Sequence, residues 1–310
     1  MSNYLITGGA GFIGSHIAEE LVAGNHSVRI FDNLSSGHLR NLDHLKGKIS
    51  FIEGDVRDHA AVEEAMRGIE FCFHEAALVS VFESVEKPFE NHEINMTGTL
   101  NVLNAAKKSS VTRVVFASSA AIYGNDPELP KREEMRPQPA SPYAAGKITG
   151  EYYLSIFAQL YGVQTVALRY FNVFGPRQDP HSMYSGVISK FTADIAAGHP
   201  PSVFGDGQQT RDFVFVKDVV QANIKAMHSP DAGHGEAFNV ATGQTASLLD
   251  LLHTIGDLTN KNIIPHFKEA RRGDIRHSSA DIARARRVLG YEPRFTLKSG
   301  LEILLRAQGV

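Results

Sequence analysis

Short apolar runs alternate with helical stretches through the first two thirds of the chain, and this alternation predicts an α/β fold built on a doubly wound parallel sheet. Two further observations agree. Several runs are apolar on both faces and rich in β-branched or aromatic residues, as strands are when helices cover a parallel sheet on both sides. The length, 310 residues, suffices for a large core and a satellite lobe.

Taken in order, strands are expected at residues 4–7, 28–31, 49–53, 71–74, 113–118 and 165–169, with helices at 12–23, 59–66, 89–108 and 143–161 as crossovers. Asp58 is placed to cap the second helix. Beyond Arg169 the regularity fails, and Gly175-Pro176, Pro180, His199-Pro200-Pro201 and Gly205-Asp206-Gly207 mark loops expected to meet a ligand. A helix at 217–227 and a short run at 238–240 are expected to return to the main sheet, and 248–258, 281–289 and 297–305 read as helical pieces. The expected organisation is a nucleotide-binding domain over 1–170, rejoined by 215–240, and a smaller discontinuous C-terminal substrate lobe over 171–214 and 241–310.

Composition narrows the function. Apolar residues make up 43% and charged residues 21%, which excludes a disordered or fibrous chain. With 31 basic and 34 acidic residues the net charge is -3, so no broad field attracts nucleic acid or an anionic membrane, and an anionic ligand must be held by local groups. The single cysteine, Cys72 between Phe71 and Phe73, excludes an internal disulfide framework and reads as a buried thiol in a reducing cytoplasm. No apolar run approaches the length of a membrane span, and no basic segment precedes the apolar start, so neither a span nor a signal peptide is expected. The 14 histidines, among them His44, His59, His74, His92 and His181, show no metal-ligand spacing, so no metal is expected.

Chemistry first shows in Thr7-Gly8-Gly9-Ala10-Gly11-Phe12-Ile13-Gly14, which follows the first strand and opens a helix. Gly8, Gly11 and Gly14 permit a tight turn and close approach of a pyrophosphate to the free N–H groups of the helix N-terminus. Asp32, at the end of the second strand, can accept hydrogen bonds from an adenosine ribose and would repel a 2′-phosphate, which favours NAD over NADP. Asp55 after the third strand can reach the adenine edge, and the small Ala76 and Ala77 after the fourth let a cofactor pass. Taken alone, these last are ordinary loop residues.

A second constellation is Ser118-Ser119 followed by Tyr143-Ala144-Ala145-Gly146-Lys147. Four-residue spacing places Tyr143 and Lys147 on one helix face. An ammonium beside a phenol favours the phenolate, and a nicotinamide cation would favour it further, which makes Tyr143 a candidate general base. Ser119, at the end of the fifth strand, lies where doubly wound sheets bind ligands and can hydrogen-bond the same reacting oxygen. Without the glycine-rich turn upstream, a tyrosine and a lysine on a solvated helix face would be the simpler account.

With both constellations in one chain, the sequence resembles the extended short-chain dehydrogenase/reductase family, and within it the UDP-hexose 4-epimerases, including those acting on N-acetylated sugars. The resemblance runs from residue 7 to about 280. It is carried also by Ser118-Ser119-Ala120-Ala121-Ile122-Tyr123-Gly124, by the run from Arg169 through Asn172 and Gly175 to Pro180, by Arg211-Asp212-Phe213, and by Arg271-Arg272-Gly273-Asp274-Ile275-Arg276-His277-Ser278. It implies a Rossmann-type fold and NAD as cofactor. NAD contacts are implied at Gly8, Gly11, Phe12, Ile13, Gly14, Asp32, Asn33, Asp55, Val56, Ala76, Ala77, Tyr143, Lys147 and Phe171. It implies Ser119, Tyr143 and Lys147 as the catalytic set, UDP contacts at Asn172, Arg211 and Arg271, and a homodimer formed by pairing the 89–108 and 143–161 helices with those of a second copy. Singly, Arg211 and Arg271 would be read as surface or ion-pair residues.

Departures from the family pattern sharpen the expectation. Related 4,6-dehydratases and decarboxylases carry acidic residues just after the catalytic hydroxyl residue, where this chain has Ala120 and Ala121. Redox without elimination is the simpler outcome, with dehydratase or glucuronate decarboxylase chemistry as the alternative and a non-catalytic NAD-binding module behind both. Val79 stands where some glucose/galactose epimerases carry Lys, leaving Ser80 as the sugar contact in that loop. Ser278 stands where a bulky Tyr confines some epimerases to unsubstituted sugars. The expected reaction is C4 epimerisation of a UDP-hexose, UDP-GlcNAc/UDP-GalNAc or UDP-Glc/UDP-Gal or both, through a transient 4-keto sugar.

Overall fold

A computed structural model describes residues 1–179, 186–270 and 275–309. The chain runs β1 (Asn3–Thr7), α1 (Phe12–Ala23), β2 (Ser27–Asp32), β3 (Ile49–Glu53), α2 (His59–Met66), β4 (Phe71–His74), α3 (Val81–Glu86), α4 (Pro88–His92), α5 (Gly98–Lys108), β5 (Arg113–Ser119), α6 (Pro142–Tyr161) and β6 (Gln164–Tyr170). It continues through β7 (Asn172–Phe174), α7 (Val187–Ala196), β8 (Ser202–Phe204), β9 (Thr210–Arg211), β10 (Phe213–Phe215), α8 (Val216–His228), β11 (His234–Val240), β12 (Ala246–Ser247), α9 (Leu248–Thr259), β13 (His266–Lys268), α10 (Ala283–Leu289) and α11 (Leu297–Gln308). Among the described residues no helix is long and apolar enough to cross a membrane.

Seven strands form one parallel sheet in the order β11-β6-β5-β4-β1-β2-β3. The direction of winding reverses between β1 and β4, and the carboxyl ends of strands at such a reversal open the crevice where ligands bind. The fold class read from the sequence is observed, and all six expected strands are present. Tyr4, Ile6, Ile17, Ile30 and Phe73 anchor one apolar layer and Leu5, Phe31, Val102, Phe116 and Leu154 the opposite one, so the sheet is buried on both faces. A third cluster around Phe174, Phe191, Val203, Phe215, Leu251 and Leu301 lies under the C-terminal segments.

Local chemistry explains the helix bounds. Asp58 caps α2 as expected, accepting from the Ala60 and Ala61 amides. Ser141 caps α6, Pro142 opens it, and Gly162 ends it in the left-handed region at φ 72°. The helix expected at 89–108 is interrupted: a π turn at Glu93–Thr97 separates α4 from α5. The cause lies in side chains that periodicity does not register. Asn95 points inward and pairs with both the amide and the carbonyl of Leu78, each at 2.9 Å, while its own carbonyl accepts from the Thr99 hydroxyl. Helix α3 also escaped the apolar pattern; Ser80 caps it by accepting from the Glu83 amide.

One buried ion pair ties the elements around the crevice. Glu151 on α6 accepts from Arg169 on β6 through both carboxylate oxygens, at 3.0 and 2.7 Å, and also from the Ser118 hydroxyl on β5. Arg169 extends the network to the Tyr123 hydroxyl, which donates to Asn239 on β11. Both charges are more than nine-tenths buried. Removing either partner alone would leave the other uncompensated, a loss of about 3–5 kcal/mol.

Candidate active site

The crevice begins at the glycine-rich turn. Gly8 has φ 69°, and a Cβ there would lie 2.6 Å from the Ala76 amide nitrogen, so only glycine lets β1 pass this close to the chain leaving β4. A Cβ on Gly14 would sit 2.4 Å from the Gly8 carbonyl. Helix α1 starts at Gly11 without any side-chain cap, leaving the first-turn amides of Phe12, Ile13 and Gly14 to an outside acceptor. The Phe12 and Ile13 side chains turn away and pack on the third apolar cluster.

Asp32 closes the far side. Its carboxylate is only 7% exposed and accepts from the Ala10 amide at 2.9 Å and the Leu34 amide at 2.8 Å. Burial pushes its pKa up and these two amides oppose that rise; each oxygen keeps acceptor capacity toward the crevice. Asn33 donates to Asp55 at 2.8 Å, and Arg57 grips the same Asp55 carboxylate through its Nε and a terminal nitrogen, which brings Asp55 down to about 2. Val56 is buried, and Ala76 and Ala77 are half-buried beside the turn. An uncapped helix start, a glycine cradle that side chains would fill and an acid aligned with both together fit a dinucleotide. Phe171 departs from this picture. Its ring is buried beside Tyr123, its amide donates to Val240 and its carbonyl accepts from Val173, which leaves little of it for a ligand.

On the other side of the reversal, β5 and α6 bring Ser119, Tyr143 and Lys147 together. Gly150 lets α6 lie on the sheet, since a Cβ there would be 2.6 Å from the Phe116 ring. Lys147 is buried, with Nζ donating to the Ala117 carbonyl at 2.7 Å and lying 5.7 Å from the Tyr143 ring centroid. The Ser119 hydroxyl accepts from the Ala121 amide at 3.1 Å and also engages the Tyr143 phenol. The expectation that Lys147 lowers the phenol pKa is not met in the chain by itself. Burial pushes Tyr143 above its ordinary value, Ser119 draws it back and Glu75 pushes it up further. Burial also brings Lys147 down to about 8, opposed by Glu75. Desolvation of the phenol is the larger effect, and the ammonium beside it is engaged by a backbone carbonyl.

The C-terminal segments form the remaining wall. Asn172 on β7 donates through its side chain to the Asp212 carbonyl at 3.2 Å, and β7 pairs with β10. Arg211 on β9 donates to the Thr210 carbonyl at 3.0 Å. The Ser278 amide donates to that same carbonyl at 3.1 Å, so Arg211 and the half-buried Ser278 lie on adjacent segments. Arg271, Pro180 and His181 lie outside the described residues. Ser80 is 3% exposed with its hydroxyl engaged in the α3 cap, whereas Val79 is exposed. His74 is a core residue between the Thr7 and Thr99 hydroxyls, brought down to about 3 by burial.

Three residues escaped the sequence reading. Ser84 accepts from the Tyr143 amide at 3.1 Å and so fixes the first turn of α6, with nothing in its surroundings to mark it. Glu151 sits four residues after Lys147 in an apolar helix face, and an acid there was a readable sign of a buried partner. Glu75, at the mouth of β4, is partly buried and accepts from the Tyr170 hydroxyl at 2.9 Å; burial brings it up to about 7.

Comparison with known proteins agrees with this geometry. Residues 4–241 match the profile of the NAD dependent epimerase/dehydratase family. A UDP-glucose 4-epimerase of Mycolicibacterium smegmatis is 40% identical over 306 residues, covering 96% of this chain and 95% of the relative. Among solved structures, the UDP-N-acetylglucosamine 4-epimerase of Methanobrevibacter ruminantium in complex with UDP-N-acetylmuramic acid superimposes with TM-score 0.95 at 39% identity, covering 99% of this chain and 98% of that one. The UDP-glucose 4-epimerase of Thermotoga maritima with UDP-glucose gives 0.94 at 38% identity, with the same coverage.

The Asp32 geometry yields a test. Asp32→Asn keeps an acceptor for one of the two amides and removes the charge, so NAD affinity relative to NADP is expected to fall when both are titrated into the purified chain. An unchanged ratio would mean that Asp32 does not face the ribose.

Proposed function

The chain belongs to the NAD-dependent epimerase/dehydratase family, and from that premise we propose that it is an NAD-dependent UDP-hexose 4-epimerase acting on UDP-GlcNAc and UDP-GalNAc as well as on UDP-Glc and UDP-Gal. The observation that carries the reading is the convergence of Ser119, Tyr143 and Lys147 at the sheet's reversal, across from a glycine cradle, with no acid in the turn that follows. That turn begins Ala120-Ala121, so a dehydratase or decarboxylase lacks its acid there, and Glu75, the carboxyl nearby, is tied to Tyr170.

When bound, NAD supplies a hydride acceptor for a sugar carbinol and a hydride donor for the resulting carbonyl. It would be held by the first-turn amides of α1, by Asp32 and by the Asp55 carboxylate that Asn33 and Arg57 orient. Tyr143 takes the proton from the sugar 4-hydroxyl and later returns one, while Ser119 hydrogen-bonds the same oxygen in both directions. Lys147 adds positive charge behind the phenol, and charge on the cofactor offsets the burial that holds the phenol up. Asn172, Arg211 and Arg271 hold the UDP while the 4-keto sugar turns over. A guanidinium forking onto diphosphate oxygens suits a chain without a net positive field.

A second copy of this chain is proposed as partner. Tyr152, Ile156 and Leu160 form an exposed stripe at four-residue spacing on α6, and Phe89 on α4 is 85% exposed. Monomers rarely leave so continuous an apolar face in water. Ile156→Arg is expected to shift the species seen by analytical ultracentrifugation from dimer to monomer; a wild-type chain that is already monomeric would remove the partner.

Tyr143→Phe keeps the ring and removes the proton acceptor. Turnover of a UDP-hexose, followed by NMR of the product, is expected to fall at least about a hundredfold with NAD binding retained. Near-normal turnover would exclude Tyr143 as the base. Sugar choice is placed at Ser278 by the resemblance to UDP-hexose 4-epimerases, in which a bulky Tyr at this position confines some members to unsubstituted sugars and a small residue admits a 2-N-acetyl group. Ser278→Tyr is expected to depress kcat/KM for the N-acetylated pair far more than for the glucose pair, since a clash acts against one substrate only. Equal losses would take Ser278 out of the specificity argument.

A further inference from the structure

Glu75 is the first residue after β4, and its backbone is held against β1. Its amide donates to the Thr7 carbonyl at 3.1 Å, and its carbonyl carbon would lie 2.8 Å from a Cβ on Gly8. This wedges it between β1 and β4, the strands at which the sheet reverses. Any dinucleotide running from Asp32 on β2 to Tyr143 above β5 crosses this point. The side chain reaches across to β6, where the Tyr170 hydroxyl donates to it and in turn accepts from Asn223 on α8 at 2.8 Å. A tyrosine and an asparagine thus hold the carboxylate where no arginine or lysine grips it directly among the described residues.

Lys147 faces the converse situation. It is 3% exposed, its hydrogen-bond acceptor is the neutral Ala117 carbonyl, and the Phe116 ring lies 4.8 Å from Nζ. A buried ammonium with such neighbours loses its proton readily unless a negative charge stands near. His74 lies opposite Phe116 in the β4–β5 register, so Glu75 and Ala117 are the next residues along the two strands, and Lys147 holds the Ala117 carbonyl. We propose that Glu75 is a positioning residue for the Tyr143–Lys147 pair: its carboxylate, tethered by Tyr170 at the sheet's reversal, is the countercharge to the buried Lys147 ammonium.

The field runs both ways. Burial brings Glu75 up to about 7 and Lys147 down to about 8, and the charge of each opposes the shift of the other. The other titratable groups facing Glu75 are Tyr170 from β6, Tyr143 from α6 and Cys72 from its own strand, all of which burial keeps neutral. Asn223 from α8 is uncharged, and His74 next to Glu75 is neutral near pH 7. The arrangement has a chemical cost, because the same carboxylate opposes ionisation of the phenol. A positive charge brought by the bound cofactor would relieve that opposition while leaving Lys147 supported.

The inference rests on Tyr143 and Lys147 being the reacting pair, and its test separates the two. Glu75→Gln retains the acceptor for the Tyr170 hydroxyl and removes the charge. In the NAD-loaded protein carrying 13Cε-labelled lysine, the Lys147 resonance, assigned with Lys147→Arg, is followed from about pH 6 to 11. Glu75→Gln is expected to weaken the proton affinity of Lys147 about tenfold and to move the alkaline limb of kcat/KM down in pH with it. Glu75→Asp, which keeps the charge, is expected to restore most of that affinity. An unmoved Lys147 titration in Glu75→Gln overturns the proposal. A moved titration with an unmoved alkaline limb upholds it and instead removes Lys147 from the reacting pair. Should Glu75→Gln not fold, the wild-type Lys147 resonance must itself show a second inflection near neutrality as Glu75 titrates, and its absence overturns the proposal equally.

Discussion

The candidate active site depends on a salt bridge that does no chemistry. Glu151 and Arg169 are desolvated together, and the carboxylate also accepts from Ser118, so α6, β6 and the end of β5 share one set of hydrogen bonds. Ser119 is the next residue along β5, and Tyr143 and Lys147 lie two and one turns earlier on α6 than Glu151. The three side chains therefore meet because their supports are locked to one another. A pair of this kind contributes little net stability against an apolar equivalent, and its value lies in the single register it permits between helix and strand.

A second constraint comes from side chains that are missing. Gly8 and Gly14 bring backbone within contact of backbone around the first turn, and Gly150 brings a helix onto an aromatic ring. The first two leave a cradle lined by amides, and the third lowers α6 until Lys147 reaches the Ala117 carbonyl. Both halves of the crevice are thus shaped by close approach. The electrostatics follow from the same closeness, since buried groups crowded at the sheet's reversal shift one another's proton affinities.

Much of this was legible in the sequence because the signals were local. The strand, glycine turn and helix at 4–23, the acid at the end of β2 and the Tyr143/Lys147 spacing each depend on residues close together in the chain. What escaped depended on distant partners. Periodicity predicted one helix at 89–108, whereas Asn95 reaches back to Leu78 and a π turn results. Ser84 and Glu75 resemble ordinary polar loop residues until the fold sets them against Tyr143 and Tyr170. The direction in which Tyr143 shifts in the chain by itself is hidden for a similar reason: spacing shows that an ammonium is near but not how much water has been removed from both groups.

The first turn of α1 faces two ways. Its amides point into the crevice, while the side chains of Phe12 and Ile13 rest on the apolar cluster beneath the C-terminal segments. A ligand held by those amides would be coupled to one wall of that cluster, so binding there and packing beneath the C-terminal segments would favour each other by the same free energy.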